Sequence, residues 1–204
     1  MNRGTMSIGI ALTFIVILVV AFGFYTRSVM AADGSPKQLR ELSAAELQKM
    51  EQAIPAKASA TPKKQRKILV FWLCNGFFHE SIPVINKAIE LAGKKTGAYD
   101  AVFTDDMNMF SDDKLSQFDG IVFNNTTKLE FNDDRKKALM DFVKGGKGII
   151  GIHGATDNFY TWPEAAAMMG GTFAGHPWTS NGVWAIKNTD ANHPLNASFK
   201  GEGF

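Results

Sequence analysis

Hydrophobic positions fall into three patterns along the chain. Residues 8–24 form an uncharged, almost wholly apolar run, preceded by Arg3. Such a run is long for a signal-peptide core and at the lower limit for a spanning helix. Val29 and Ala31 place small residues where a signal peptidase needs them, which favours cleavage after Ala31 over an uncleaved anchor. Residues 1–31 are therefore expected to act as a signal peptide or membrane anchor, leaving the bulk of the protein exported, in the periplasm or otherwise outside the cytoplasm, with anchoring to the cell membrane through residues 8–24 if uncleaved.

Residues 32–66 are polar. Ser43-Ala44-Ala45-Glu46 reads as a capping box opening a helix over 44–53, which stops near Pro55. Alanine, proline and lysine dominate 56–67, the composition of a solvated linker.

From residue 68 apolar runs alternate with amphipathic stretches. Runs at 68–73, 101–104, 120–123 and 148–152 read as strands buried in a parallel sheet. Between them, Ser81 is expected to cap a helix with Pro83 in its first turn and Gly97 at its end. A short helix is expected near 112–117, and Asn132 caps another over 133–143. This alternation predicts an α/β fold, a doubly wound, mostly parallel flavodoxin-like sheet of order 2-1-3-4 with a later strand near 183–186. Residues 67–204 form that domain.

The chain has 204 residues and a formal net charge of +2. That total divides unevenly, because residues 68–204 hold twelve Lys/Arg against sixteen Asp/Glu. A slightly acidic domain offers no electrostatic footprint for nucleic acid. The single cysteine, Cys74, excludes an internal disulfide and a CxxC metal site. It reads as a small buried hydrophobe. No glycine-rich phosphate loop is present.

Candidate chemistry lies in the loops after the first, third and fourth strands of the sheet, where ligands bind in such folds. Those loops begin at Asn75, at Asn124-Asn125 and at His153. Gly151-Ile152-His153-Gly154-Ala155 has the spacing of a nucleophile elbow, with an imidazole at its apex that suits acid/base work. His153 is the candidate catalytic residue, and Asp157 could orient an imidazole or polarise a water. Asn75, His79, Asn124, Asn125, Trp162 and His176 are the candidate substrate-binding residues. Trp162 and Trp178 offer flat apolar faces that stack on sugars or pack in a core. His193, beside Pro194, reads as structural. His79, His153 and His176 would make a three-imidazole zinc site, but no HxH or HExxH spacing is present, so the cofactor stays open.

Several blocks resemble the ThuA-like (trehalose-utilisation) family from about Lys67 onward. They are Gly76-Phe77-Phe78-His79-Glu80-Ser81-Ile82-Pro83 after the first strand, and Phe118-Asp119-Gly120-Ile121-Val122-Phe123-Asn124-Asn125-Thr126-Thr127. Residues 145–157, Trp162-Pro163-Glu164, Met169-Gly170-Gly171-Thr172-Phe173, His176-Pro177 and Asn192-His193-Pro194-Leu195 continue the resemblance. With the exported amino terminus, the chain is similar to secreted members from environmental bacteria such as planctomycetes. The resemblance implies a class I glutamine amidotransferase-like fold and an association with glycoside metabolism. Where the amidotransferase elbow carries its cysteine nucleophile, this chain has His153, which argues against amidotransferase activity. Family members continue further, so residues 67–204 read as a truncated domain. The expected ligand is a small carbohydrate or oxidised sugar derivative. The expected roles are a carbohydrate-active hydrolase or lyase, a non-catalytic sugar-binding or assembly module, or a zinc-dependent hydrolase.

Overall fold

The computed structural model describes residues 29–30, 36–37, 39–177 and 182–199. The apolar run 8–24 and the expected cleavage site lie outside them. Among the described residues no helix is long and apolar enough to cross a membrane. Strands β1 (Val29–Met30) and β2 (Pro36–Lys37) pair antiparallel as a two-residue ribbon.

Helix α1 (Ala44–Ala53) opens on the capping box: the Ser43 hydroxyl accepts from the Glu46 N–H, and the Glu46 carboxylate accepts from the Ser43 N–H at 2.8 Å. Its carboxyl end is tied to the domain, because Lys95 Nζ donates to the carbonyls of Glu51 and Ile54 at 2.6 Å each. The linker's end is pinned too, with Lys64 2.7 Å and Arg66 3.1 Å from Asp119.

The domain is built from β3 (Lys67–Phe71), α2 (Ile82–Thr96), β4 (Asp100–Thr104), a 3-10 turn at Met107–Met109, α3 (Asp112–Leu115), β5 (Gly120–Asn124), α4 (Asp133–Lys144), β6 (Gly148–Ile152), a 3-10 turn at His153–Thr156, and α5 (Pro163–Met169). A last 3-10 segment spans Pro194–Phe199. The four strands β3 to β6 are parallel in the order β4-β3-β5-β6, which is the expected 2-1-3-4. The chain switches direction of winding between β3 and β5, so the loops leaving those strands part and open a crevice at their carboxyl ends.

The two central strands carry the core. Leu69, Phe71, Ile121 and Phe123 point to one face and pack with Ala138, Leu139 and Phe142 of α4. Val70 and Val122 alternate with them and are buried on the other face. Full burial of such side chains contributes about 1.5–3 kcal/mol each. Among the described residues β4 and β6 are the edge strands, and Ile150 on β6 is 57% exposed.

Two expectations are corrected. Ser81 makes no side-chain cap on α2. The turn that feeds the helix starts earlier, with the Ile82 N–H donating to the His79 carbonyl at 3.0 Å, so residue 81 is already helical. The later strand near 183–186 is not formed. Residues 182–186 run as coil with Val183 fully exposed, and the Trp184 ring folds back over Gly182, where a Cβ would stand 2.2 Å from it. Strand propensity is the preference for packing on a neighbouring strand, and among the described residues 183–186 pair with no strand.

Candidate active site at the strand carboxyl ends

Three loops meet beyond β3, β5 and β6. The β3 loop continues the pairing with β5 through a parallel bridge between Cys74 and Thr127. The Asn75 N–H donates to the Thr127 carbonyl at 2.8 Å, and the Thr127 hydroxyl donates to the Phe77 carbonyl at 2.9 Å. These bonds carry the loop upward to His79, whose carbonyl starts the α2 turn.

The β6 loop turns at His153, which has φ +48°. That left-handed conformation costs a non-glycine residue about 1–2 kcal/mol. It throws the imidazole out of the strand line, as an elbow does. Gly151 and Gly154 make the turn fit. A Cβ at 151 would stand 3.0 Å from Met169 Sδ and 3.1 Å from the Ala155 Cβ, so α5 packs directly on the strand. A Cβ at 154 would stand 3.0 Å from His79 Nε2.

The result is a pair of imidazoles. The rings of His79 and His153 lie 4.6 Å apart, edge to face at 79°. They line a cavity of about 530 Å³ with Phe77, Gly154, Thr156, Asp157, Phe173, Gly175, His176 and Pro177. Phe77 rests edge-on against His79 at 4.9 Å, and Phe173 lies 4.9 Å from the His176 ring. A shallower cleft of about 560 Å³ runs between Leu39–Leu47 and α2, away from these loops. Burial holds the His79 pKa below its ordinary value, and the neighbouring His153 adds to that effect; Asp157 opposes it.

Asp157 faces the cavity but hydrogen-bonds neither imidazole. Its Oδ1 accepts from Tyr160 and pairs with Lys128 Nζ at 2.9 Å. The Tyr160 hydroxyl also lies 3.1 Å from the Phe173 carbonyl, and the Phe173 N–H donates to the Thr156 carbonyl at 2.9 Å. Those contacts hold the wall that carries His176.

Of the expected residues, His79, His153, Asp157 and His176 come together on this cavity. The others do not line it. Asn75 is exposed, and its Nδ2 donates to the Lys128 carbonyl at 3.3 Å. Asn124 is buried and donates to the Ile82 carbonyl and to Asn86 Oδ1, tying β5 to α2. Asn125, at φ +53°, is buried too, and its Nδ2 donates to Asn124 Oδ1. Its own Oδ1 has no partner among the described residues. Trp162 is a core residue, 6% exposed, packed edge-on against Phe159 at 5.4 Å. Trp178 lies outside the described residues. His193 caps its own loop, with Nδ1 accepting from the Leu195 N–H at 3.2 Å. Among the described residues no group of three or more His, Cys, Asp or Glu is placed to hold a metal ion.

Three residues of the site carry no signal in the sequence reading: Lys128, Tyr160 and Asn158. Asn158 is buried and clamps the elbow to the β5 loop. Its Oδ1 accepts from the Leu129 N–H at 2.8 Å, and its Nδ2 reaches the Thr126 carbonyl, the Thr126 hydroxyl and the Ala155 carbonyl at 2.8–3.0 Å.

The family model described as ThuA, trehalose utilisation, matches residues 67–203. The chain belongs to the ThuA family. A crystal structure of a protein described as ThuA-like, from Bacteroides uniformis ATCC 8492, superposes with a TM-score of 0.53 at 18% sequence identity. The match covers 72% of this chain and 61% of that one, so the chain spans less than two thirds of the length of that relative. At this identity the likeness concerns the fold: a parallel ThuA-like sheet with helices on its faces. No curated protein matches the chain. The blocks that carry this ThuA chain's cavity, 76–83 and 145–157, both fall inside the matched range.

Proposed function

We propose that this ThuA domain binds a carbohydrate in the cavity between the 77–79, 153–157 and 173–177 loops, with His153 as its acid/base residue. The observation that carries this reading is the His79–His153 pair, 4.6 Å apart on the wall of a cavity of about 530 Å³. Phe77 and Phe173 offer apolar ring faces to a sugar, and the imidazoles offer donors and acceptors to its hydroxyls. The family's description, trehalose utilisation, supports a sugar as the ligand class. Partial burial lowers the His79 pKa and favours its neutral form, which can donate one hydrogen bond and accept another from a sugar hydroxyl.

The test follows the imidazole resonances while trehalose, glucose or methyl glucoside is added. His79 and His153 signals are expected to move with one of them, and His153→Ala to abolish the response while the protein stays folded. An unchanged response in His153→Ala, or no response to any of the three, overturns the reading.

One observation favours a second reading, a sugar-binding module without turnover. The only partners of Asp157 Oδ1 among the described residues are Lys128 and Tyr160, so no carboxylate–imidazole pair is preformed. Binding without release of product from a chromogenic glucoside would select it. The composition of residues 1–31 supports action outside the cytoplasm. Expression with the native leader should yield a mature chain beginning at Ala32, whereas full-length protein in the cytosol would reject export.

A further inference from the structure

Lys128 stands where the three loops meet, and its placement is over-determined. It has φ +53°, a left-handed conformation that lysine seldom adopts. Its backbone N–H donates to the Asp157 carbonyl at 2.6 Å, and its carbonyl accepts from Asn75 Nδ2. Its stem crosses Gly76 so closely that a Cβ there would stand 2.5 Å from Lys128 Cγ. Only glycine lets the stem pass. The ammonium then reaches Asp157 Oδ1 at 2.9 Å and lies 4.2 Å from the centre of the Tyr160 ring. An ordinary surface lysine would leave its head in water. This one is drawn back by a carboxylate and an aromatic face together.

We propose that Lys128 is a positioning residue of the cavity: with Tyr160 it fixes the Asp157 carboxylate and balances the negative charge that Asp157 would otherwise present to His79. Lys128 touches no imidazole and acts through Asp157. The Asp157 side chain is 13% exposed and that of Lys128 52%, so the carboxylate lies in the less screened position and its balance matters most on the cavity side. The inference rests on reading the cavity as the functional site, but its test uses no sugar and so stands or falls separately from the carbohydrate reading.

The groups that face His79 electrostatically are His153 and Asp157. Removing the ammonium leaves the carboxylate unbalanced, which favours the imidazolium. Titration of His79 by NMR in the full chain should therefore show a higher midpoint in Lys128→Met, by about 0.5 pH unit, or about threefold in proton affinity. Lys128→Arg should retain the parent midpoint. Asp157→Asn should lower it, and adding Lys128→Met to Asp157→Asn should produce no further change. Lys128→Gln, with a polar stem of similar shape, replaces the methionine variant if that does not fold. An unchanged midpoint in the folded neutral variant, an equal shift in Lys128→Arg, or an undiminished shift on the Asp157→Asn background overturns the proposal.

Discussion

Gly154 and His79 occupy one another's space: the position of a Cβ on residue 154 is 3.0 Å from His79 Nε2 and 3.4 Å from the Asn125 backbone carbon. The imidazole is thus seated against the bare backbone of the elbow, which lets its ring meet that of His153. Gly154→Ala should push His79 away, since a side chain moves more readily than the Asn125 backbone that the new methyl also meets. Overpacking of this kind costs about 1–3 kcal/mol. Urea unfolding measures the loss, and the response of the imidazole signals to sugar should weaken with it.

The lowered pKa of His79 ties stability to pH. Burial is the main cause, with His153 second. A base whose folded value lies below its unfolded value binds fewer protons when folded. Its contribution is therefore complete above the ordinary histidine pKa of about 6.5 and falls as pH drops from there toward the folded value. Urea unfolding at pH 8, 6.5 and 5 should show this decline, and His79→Gln should lessen it. An equal decline in that variant would refute the assignment.

His153 combines strain and chemistry at one position. Its φ of +48° suits glycine better than any branched side chain. His153→Gly is expected to be more stable than His153→Ala by about 1 kcal/mol, although both lose the sugar response. Differential scanning calorimetry of the two variants compares them directly.

Asn158 is a structural counterpart to the histidines. Its side chain satisfies the Leu129 N–H and the carbonyls of Thr126 and Ala155 inside the protein. Asn158→Ala leaves these groups unpaired and should cost roughly 2–4 kcal/mol in urea unfolding.

The sheet was readable along the chain because β3 and β5 are buried on both faces and appear as unbroken apolar runs. Loop positions followed from where those runs end, and that sufficed to bring His79, His153, Asp157 and His176 to one cavity. The expected strand near 183–186 failed because four apolar residues report a preference for a sheet without saying whether an edge is within reach. Asn124, Asn125 and Trp162 were expected at the surface of the site, but polar residues at a strand end and a tryptophan before a helix serve equally well inside the protein. Asn124 braces α2, and Trp162 completes an aromatic cluster with Phe159 and Phe131. Lys128 is not legible in the sequence for a different reason. Its role depends on a left-handed backbone and on Gly76, fifty-two positions earlier, and neither is visible in local periodicity.

The cross-ties among the three loops also bear on how the cavity comes into being. The bonds of Asn75 to Thr127 and Lys128, of Lys128 to Asp157 and of Asn158 to Thr126 and Leu129 join segments brought together only by the formed parallel sheet. No fragment containing one loop carries the cavity, so occupancy becomes a gauge of the native population. A ligand present at one hundred times its dissociation constant should then raise global stability by about 2.7 kcal/mol, and a thermal-shift screen of sugars would find the ligand without any knowledge of the reaction.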